Sequence, residues 1–118
     1  MSFQEILRGL VEELGAEGAV MIASDGEVVD VYASSESIEM DIIGAHHSVI
    51  FNAVKDIASR QGGTAIKSVA IVAGTSRLVL STIKEGYCLV VALSGRGPVG
   101  QALFESREAV ARIEEEMG

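Results

Sequence analysis

The stretch from Ser37 to Gly63 constrains the fold more than any other part of this chain. It predicts one long helix, with Ser37 as the N-cap and Gly62-Gly63 ending it where a left-handed residue is needed. At about 100° per residue, its uncharged and mostly apolar side chains cover an arc of about 240°, whereas a surface helix needs a stripe of only about 100°. One sheet face cannot bury so wide an arc, so the helix needs a second burial surface.

The simplest second surface is another copy of the same helix, packed antiparallel across a two-fold axis. The sequence therefore predicts a homodimer with this helix at its centre. In such a dimer the narrow polar strip of the helix is expected to face outward, either as a solvated face or as a shallow groove for a partner. That strip consists of Asp41, Gly44, Ser48, Asn52, Lys55 and Ser59. The alternative docking site is the Glu27–Tyr32 edge strand, by sheet extension.

The segments before this helix carry two local signals. Ser2-Phe3-Gln4-Glu5 fits a capping box, and the helix that it starts runs to Leu14 and is closed by Gly15. A β-hairpin follows, and its parts are the buried strand Gly18–Ser24, the two-residue turn Asp25-Gly26 and the returning strand Glu27–Tyr32.

Three more strands and a helix are predicted after the central helix, at Thr64–Ala73, Arg77–Ile83, Tyr87–Leu93 and from Gly97-Pro98 onward. Pro98 is expected in the first turn, where its missing N–H costs nothing. The element order is α-β-β-α-β-β-β-α. It predicts a single α+β domain over residues 1–118, with a five-stranded antiparallel sheet between the central helix on one face and the terminal helices on the other.

Composition excludes several classes of function. The chain has 118 residues, 48% of them hydrophobic, and a formal net charge of −8. The scattered basic residues and the negative charge argue against nucleic-acid binding. The apolar runs are too short to span a bilayer and the N-terminus lacks a signal-peptide pattern, so no membrane insertion and a cytoplasmic location are expected.

The element order, the hairpin GAVMIASDGEVV, the long helix after it and the segment EGYCLVVAL before the last helix resemble the Roadblock (dynein light-chain) domain family, of the prokaryotic small-GTPase-regulator type. Profilin and longin folds share related architecture. The resemblance implies a dimer in which the central helix and the following strand meet their copies and form a continuous ten-stranded sheet. It also implies a Ras-like small GTPase as partner.

Mapped onto this chain, the implied interface covers residues 38–57 and 64–72. The residues expected to form it are Ile38, Ile42, Ala45, His46, Val49, Ile50, Ala53, Ile57, Ile66, Ser68 and Ala70.

Motifs for catalysis or cofactors are weak. Gly95, Gly97 and Gly100 spell G-x-G-x-x-G between a strand and a helix, but a dinucleotide site also needs a second parallel strand after that helix, and the chain stops first. Pro98 also removes a backbone donor. A tight strand-to-helix turn is the favoured interpretation, and no cofactor is expected.

His46 and His47 are adjacent on the helix, so they cannot chelate one metal together as an i, i+4 pair can. A cross-dimer metal site or pH switch is the alternative to ordinary packing at the helix contact. Cys88 lies in an apolar strand and is expected to be inert. Arg60, Arg77 and Arg96 lie near loops or helix ends, but spacing singles out none of them as a catalytic arginine finger.

The sequence therefore predicts a non-enzymatic, homodimeric regulatory or scaffolding subunit. The resemblance alone implies that it binds a Ras-like GTPase, either as an activator of GTP hydrolysis or as a scaffold. The alternative is a small-ligand sensor or adaptor domain without a GTPase partner, which would need an apolar cavity with a few convergent polar groups. An enzyme would need a clustered polar site that no local motif provides.

Overall fold

The computed structural model describes residues 1–62, 65–95 and 97–118. The elements are α1 (Phe3–Leu14), β1 (Gly18–Ile22), β2 (Val28–Ala33), α2 (Met40–Arg60), β3 (Ser68–Ala73), β4 (Ser76–Thr82), a single 3-10 turn (Lys84–Gly86), β5 (Cys88–Leu93) and α3 (Val99–Met117). The strands form one antiparallel sheet in the order β2-β1-β5-β4-β3. The predicted element order and α+β class are confirmed.

Two apolar cores fill the two sides of the sheet. One lies under α1 and α3 and contains, among others, Leu7, Met21, Val79, Val91 and Ile113. The other lies under α2 and contains Val20, Ile22, Met40, Phe51, Leu80 and Val90. Alternate residues of one strand therefore point into different cores, as the pleat requires. Both faces of the central strands are apolar because helices cover both.

The predicted capping box at the start of α1 is present. The Ser2 hydroxyl accepts from the Glu5 amide at 3.1 Å, and the Ser2 amide donates to the Glu5 carboxylate at 3.0 Å. Gly15 ends the helix in the left-handed conformation, with φ at 60°. Short-range hydrogen bonding decides both ends of α1, which is why the sequence predicts them correctly.

The hairpin between β1 and β2 has a loop of three residues, so the predicted two-residue turn is wrong. The Ala23 amide donates to the Glu27 carbonyl at 2.8 Å and the Gly26 amide to the Ala23 carbonyl at 2.9 Å. The Asp25 carboxylate accepts from the Glu27 amide at 3.0 Å, and Gly26 has φ at +91°. Positive φ at the last residue is typical of a three-residue hairpin loop. A separate shift of register lies between Met21 and Ile22, where Val29 is the extra residue of β2.

The central helix begins later than predicted. Ser37 is not its N-cap, because its hydroxyl instead pairs with that of Ser35 at 2.8 Å. Glu39 occupies the N-cap position and makes no side-chain cap hydrogen bond. The helix ends at Arg60, and Gly62 has positive φ, as its predicted role in stopping the helix requires. The predicted stop at Gly63 and the predicted strand start at Thr64 lie outside the described residues.

The remaining boundaries differ from the prediction by a few residues. The strand predicted over Thr64–Ala73 is shorter in the structure, because β3 begins at Ser68. Pro98 is the N-cap of α3, one position before the first turn in which it was expected. Among the described residues, no helix is both long and apolar enough to cross a membrane.

Candidate functional site

The side of α2 that faces the sheet is lined by Met40, Gly44, Ser48 and Phe51, all buried. A Cβ on Gly44 would lie 2.5 Å from Cγ1 of Val20, so glycine allows the helix to lie close against β1. Ser48 is only 6% exposed, and its hydroxyl donates to the Ala45 carbonyl at 2.9 Å. The prediction that Gly44 and Ser48 face outward is therefore wrong. Small residues mark the line of closest approach between helix and sheet.

The opposite side of α2 is apolar and open to solvent. Val49 is 69% exposed and Ile57 56%, and Ile42 and Ile50 are each close to half exposed. His46 and Ala53 are exposed among them. The exposed members of this group form the outer face of α2, which comprises Ile42, His46, Val49, Ile50, Ala53 and Ile57. All six belong to the predicted dimer interface, so the apolar arc reaches beyond what one sheet face covers.

The other predicted interface residues have mixed environments. Ile38 and Ile66 pack partly against the core under α2, and Ala45 is half-buried. The Ser68 hydroxyl lies 3.0 Å from the Ser81 hydroxyl, while Ala70 is exposed. Their contact with a second copy stays a prediction.

The edge of the sheet at β3 is open. The Thr82 amide donates to the Lys67 carbonyl at 2.9 Å. This bond determines which backbone groups of β3 face β4. Opposing residues of an antiparallel pair alternate between bonded and non-bonded positions. The amides and carbonyls of Ser68, Ala70 and Val72 therefore point away from β4. Within the described part of the chain, no side chain hydrogen-bonds to those outward groups.

The other edge, at β2, is capped by side chains. The Asp30 carboxylate accepts from the Val31 amide at 2.9 Å. The Gln4 side-chain amide, in the orientation that satisfies its partners, donates to the Val31 carbonyl at 3.1 Å. Both backbone groups at the middle of this edge are thus occupied, and a carboxylate stands beside them. Such features oppose strand addition, so sheet extension on Glu27–Tyr32 is disfavoured.

A cavity of about 360 Å³ lies beside the N-terminal half of α2, over the β3–β4 end of the sheet. Ile43 and His47 form its helix wall, and Leu78 and Ala92 belong to its floor. Polar groups at its rim include Glu17. Ala73 of β3 belongs to its lining, and α2 itself lies mainly over β2, β1 and β5.

Of the rest of the predicted polar strip, Asp41, Asn52 and Ser59 lie on the opposite flank of α2, whereas Lys55 follows Phe51 on the side that faces the sheet. Asp41 lines a shallow groove together with Val31 of β2, so this flank faces the capped edge of the sheet. Asn52 is exposed, as predicted, and so is Ser59. Lys55 is half-buried, with Nζ 4.9 Å from the centroid of the Phe51 ring.

The two histidines have different environments. His47 Nδ1 lies 2.8 Å from the Ile43 carbonyl and is half-buried, whereas His46 is exposed on the outer face of α2. No group of three or more metal-ligating side chains occurs in residues 1–62, 65–95 and 97–118. Burial raises the pKa of the Cys88 thiol to about 11, in keeping with its predicted inertness.

The glycines of the G-x-G-x-x-G pattern are explained in part by packing. A Cβ on Gly95 would lie 3.1 Å from the Thr75 carbonyl oxygen, and one on Gly97 would lie 3.0 Å from Cβ of Leu93. These close contacts fit the predicted tight turn. Arg96, one of the three arginines considered above, lies outside the described residues.

The two faces, the strand order and the long central helix give an α+β fold like that of Roadblock/LC7 domains and profilins, as predicted. Among solved structures, the chain is similar to Myxococcus xanthus MglB, with a TM-score of 0.86 and 12% identity over 98% of this chain and 94% of that one. A Roadblock/LC7 domain from Streptomyces avermitilis matches with a TM-score of 0.83 and 20% identity over 97% and 96%.

Profilin IB of Acanthamoeba castellanii matches with a TM-score of 0.69 and 13% identity over 99% of this chain and all of that one. No protein-family model matches the sequence, and comparison with curated proteins gives no significant match. At these identities the likeness establishes the fold.

Proposed function

We propose that this protein is a homodimeric regulatory or scaffolding subunit that binds a Ras-like small GTPase. The observation that carries the proposal is the outer face of α2, an apolar surface that the protomer leaves exposed beside an open sheet edge. Exposed apolar patches of this kind mark interaction sites. The cytoplasmic location expected from the sequence remains a prediction.

The dimer follows from pairing two β3 edges across a two-fold axis. Ser68, Ala70 and Val72 would pair with the same strand of a second copy, because their backbone groups are free on that side. The space over β3 and β4, which α2 leaves uncovered, would then receive the second α2. A two-fold arrangement uses the same patch on both copies and leaves no open edge at the junction.

Light scattering tests the dimer, since the expected mass is twice the protomer mass of 12.4 kDa. Val49→Asp should dissociate it. Burying a valine contributes about 1.5–3 kcal/mol, and Val49 is 69% exposed, so each copy should lose about 1–2 kcal/mol. Two copies lose about 2–4 kcal/mol, which raises the dimer Kd by a factor of about 30–1,000. Val28→Asp on the capped edge is the control and should leave the mass unchanged. A wild-type monomer at micromolar concentration refutes the dimer.

The GTPase partner rests on the family resemblance, supported by the fold shared with MglB and Roadblock/LC7 structures. We propose that Asp41 and Asn52, on the flank of α2 away from the two-fold, contact the partner together with the exposed part of Lys55. Gly44 and Ser48 are not part of this proposed surface, because the sheet buries them. Promotion of GTP hydrolysis would work by holding the switch loops of the GTPase in the competent state, with no residue of this chain acting as a catalyst.

A GTP hydrolysis assay with a Ras-like GTPase from the same organism tests this part. Acceleration and binding are expected, and Asp41→Lys with Asn52→Lys should weaken binding while the dimer mass stays the same. Neither binding nor acceleration by the wild type would leave only a dimerisation module.

The cavity beside α2 favours the ligand-sensor alternative. Its volume of about 360 Å³ and its mainly apolar lining, with Glu17, His47, Ser76 and Arg77 as polar residues, fit a small-molecule site. A small molecule that co-purifies in native mass spectrometry would support this function. In the dimer proposed above, the second α2 would instead fill this space.

A further inference from the structure

The outer face of α2 has a symmetric spacing of side chains. From Ile42 to Ile57, its six members follow one another at intervals of four, three, one, three and four residues. The intervals are the same in both directions along the helix, and their midpoint lies between Val49 and Ile50. In an antiparallel pair of helices the second copy runs in the opposite direction. The face can therefore meet its own copy about this midpoint with every member opposite another member.

Pairing about the midpoint gives three kinds of contact, and a two-fold dimer makes each of them twice. The contacts are Ile42 with Ile57, Val49 with Ile50, and His46 with Ala53. A shift of the second helix by one turn in either direction leaves two of the six members opposite residues outside the face. The midpoint is thus the register that matches the whole exposed face and buries its apolar side chains together.

One of the three contacts joins side chains of different size. The other two join aliphatic side chains of similar bulk, so exchanging the residues within either pair would change little. His46 carries an imidazole ring, whereas Ala53 carries a single methyl group. Helix axes approach to about 8–10 Å where side chains of one helix enter the grooves of the other. In the register set by the midpoint, the ring of His46 enters the space above the methyl group of Ala53.

The protomer leaves both side chains exposed for this contact. His46 and Ala53 both lie open to solvent on α2. The neighbouring His47 lies on another side of the helix, where its Nδ1 is 2.8 Å from the Ile43 carbonyl and the residue borders the cavity. Of the two histidines, His46 is therefore the one that meets the second copy within the outer face.

We propose that the reciprocal contact between His46 and Ala53 selects the partner of this chain. A chain fits the outer face only if it places a small residue against His46 and a bulky residue against Ala53, as a second copy does. Two bulky side chains in contact would force the helices apart, and two small ones would leave a void. Related chains with other residues at these two positions would therefore be rejected. The proposal rests on the homodimer proposed above and adds the register of its helices.

Two single variants test the contact through the formation of a heterodimer. Homodimers of Ala53→His bring two rings together in each contact, and homodimers of His46→Ala leave a void in each. A heterodimer of the two variants again joins one ring and one methyl group in both contacts. Native mass spectrometry of an equimolar mixture should therefore show a ratio of heterodimer to either homodimer at least about tenfold above that of random pairing. Both positions are exposed in the protomer, so the variants should fold.

Two controls separate size and register from other effects. His46→Phe keeps the bulk of the side chain without its ring nitrogens, so it should pair with the wild type at the random ratio. Ile42→Ala mixed with Ala53→His should also give the random ratio, because these two positions face each other only if the second helix is shifted by one turn.

Light scattering on the wild type reports the homodimer separately. A wild-type dimer whose two test variants mix at random, or stay monomeric when mixed, overturns the proposed contact and leaves the dimer standing. An excess of heterodimer between Ile42→Ala and Ala53→His would show a different register and overturn the proposal as well. A wild-type monomer refutes the dimer and the partner selection together.

Discussion

The close approach of α2 to the sheet at Gly44 makes a quantitative prediction. Adding a methyl group there by Gly44→Ala brings Cβ to 2.5 Å from Cγ1 of Val20 and to 3.2 Å from Cδ1 of Ile22. Val20 is fully buried and Ile22 nearly so, hence neither side chain can move aside freely. Overpacking of this kind lowers the free energy of unfolding by about 1–3 kcal/mol, and the higher helix propensity of alanine offsets about 1 kcal/mol of that loss. Gly44→Ala should therefore lower the free energy of unfolding by up to about 2 kcal/mol.

Gly9 provides the matched control. It also lies inside a helix, but a Cβ there meets nothing within 4 Å. Gly9→Ala should raise stability by about 0.5–1 kcal/mol. Because both variants gain the same propensity term, the difference between them isolates the overpacking term of about 1–3 kcal/mol.

Urea unfolding at one fixed protomer concentration measures both variants, so any dimer contributes equally. If Gly44→Ala stabilises the protein as much as Gly9→Ala does, the face of α2 that packs on β1 is assigned wrongly. Gly44 would then lie on an outward strip, as the sequence alone had predicted.

Four further predictions concern single side chains. The buried Ser106 hydroxyl has no hydrogen-bond partner in the described structure. Ser106→Ala should therefore raise the free energy of unfolding by about 1 kcal/mol, measured in urea. Ser48→Ala is the control and should give no such increase, because the Ser48 hydroxyl is hydrogen-bonded. Ser2→Ala should cost about 1 kcal/mol by the same measurement. The Ser2 amide holds the pKa of Glu5 below its ordinary value. The ionised Glu5 carboxylate therefore stabilises the protein above a pH of about 4.3, and this contribution is lost as the pH falls through the lowered pKa. Glu5→Gln should make the free energy of unfolding fall less steeply at acid pH. Since burial raises the pKa of Cys88 to about 11, its reaction with Ellman's reagent near neutral pH should be slower by about two orders of magnitude in the folded protein than in urea.

Elements set by short-range hydrogen bonds were predictable from the sequence. The capping box at Ser2 and the left-handed Gly15 each involve groups within a few residues of one another, and both occur as predicted. The start of α2 was not predictable in the same way. Ser37 has the right chemistry for an N-cap, yet the chain satisfies its hydroxyl with Ser35 and starts the helix after Glu39. Neighbouring serines offer competing local bonds of similar strength, and composition cannot rank them.

The side of α2 that faces the sheet was predicted only in part. The sequence predicts that one helix has more apolar surface than a sheet can cover, and the exposed Val49 and Ile57 agree with that prediction. It also predicts that the polar and small residues face outward, which Gly44 and Ser48 contradict. Hydrophobicity scales rank a residue by transfer free energy, whereas contact with a sheet also depends on size. A line of small residues lets the backbone approach, and the larger apolar residues are then displaced to the outer face.

Which sheet edge is open could not be read from strand composition. Both edge strands are short and mainly apolar, and both offer unpaired backbone groups on one side. The β2 edge is closed by Asp30 of the strand itself and by Gln4, which the fold brings from α1 to the Val31 carbonyl. Gln4 and β2 are far apart in sequence, so no local sequence pattern predicts their contact. At β3 no described side chain plays this part, and the same strand borders the cavity beside α2. Association through strand pairing is therefore expected at β3, because side chains occupy the backbone groups of the β2 edge and the outward backbone groups of β3 are unpaired.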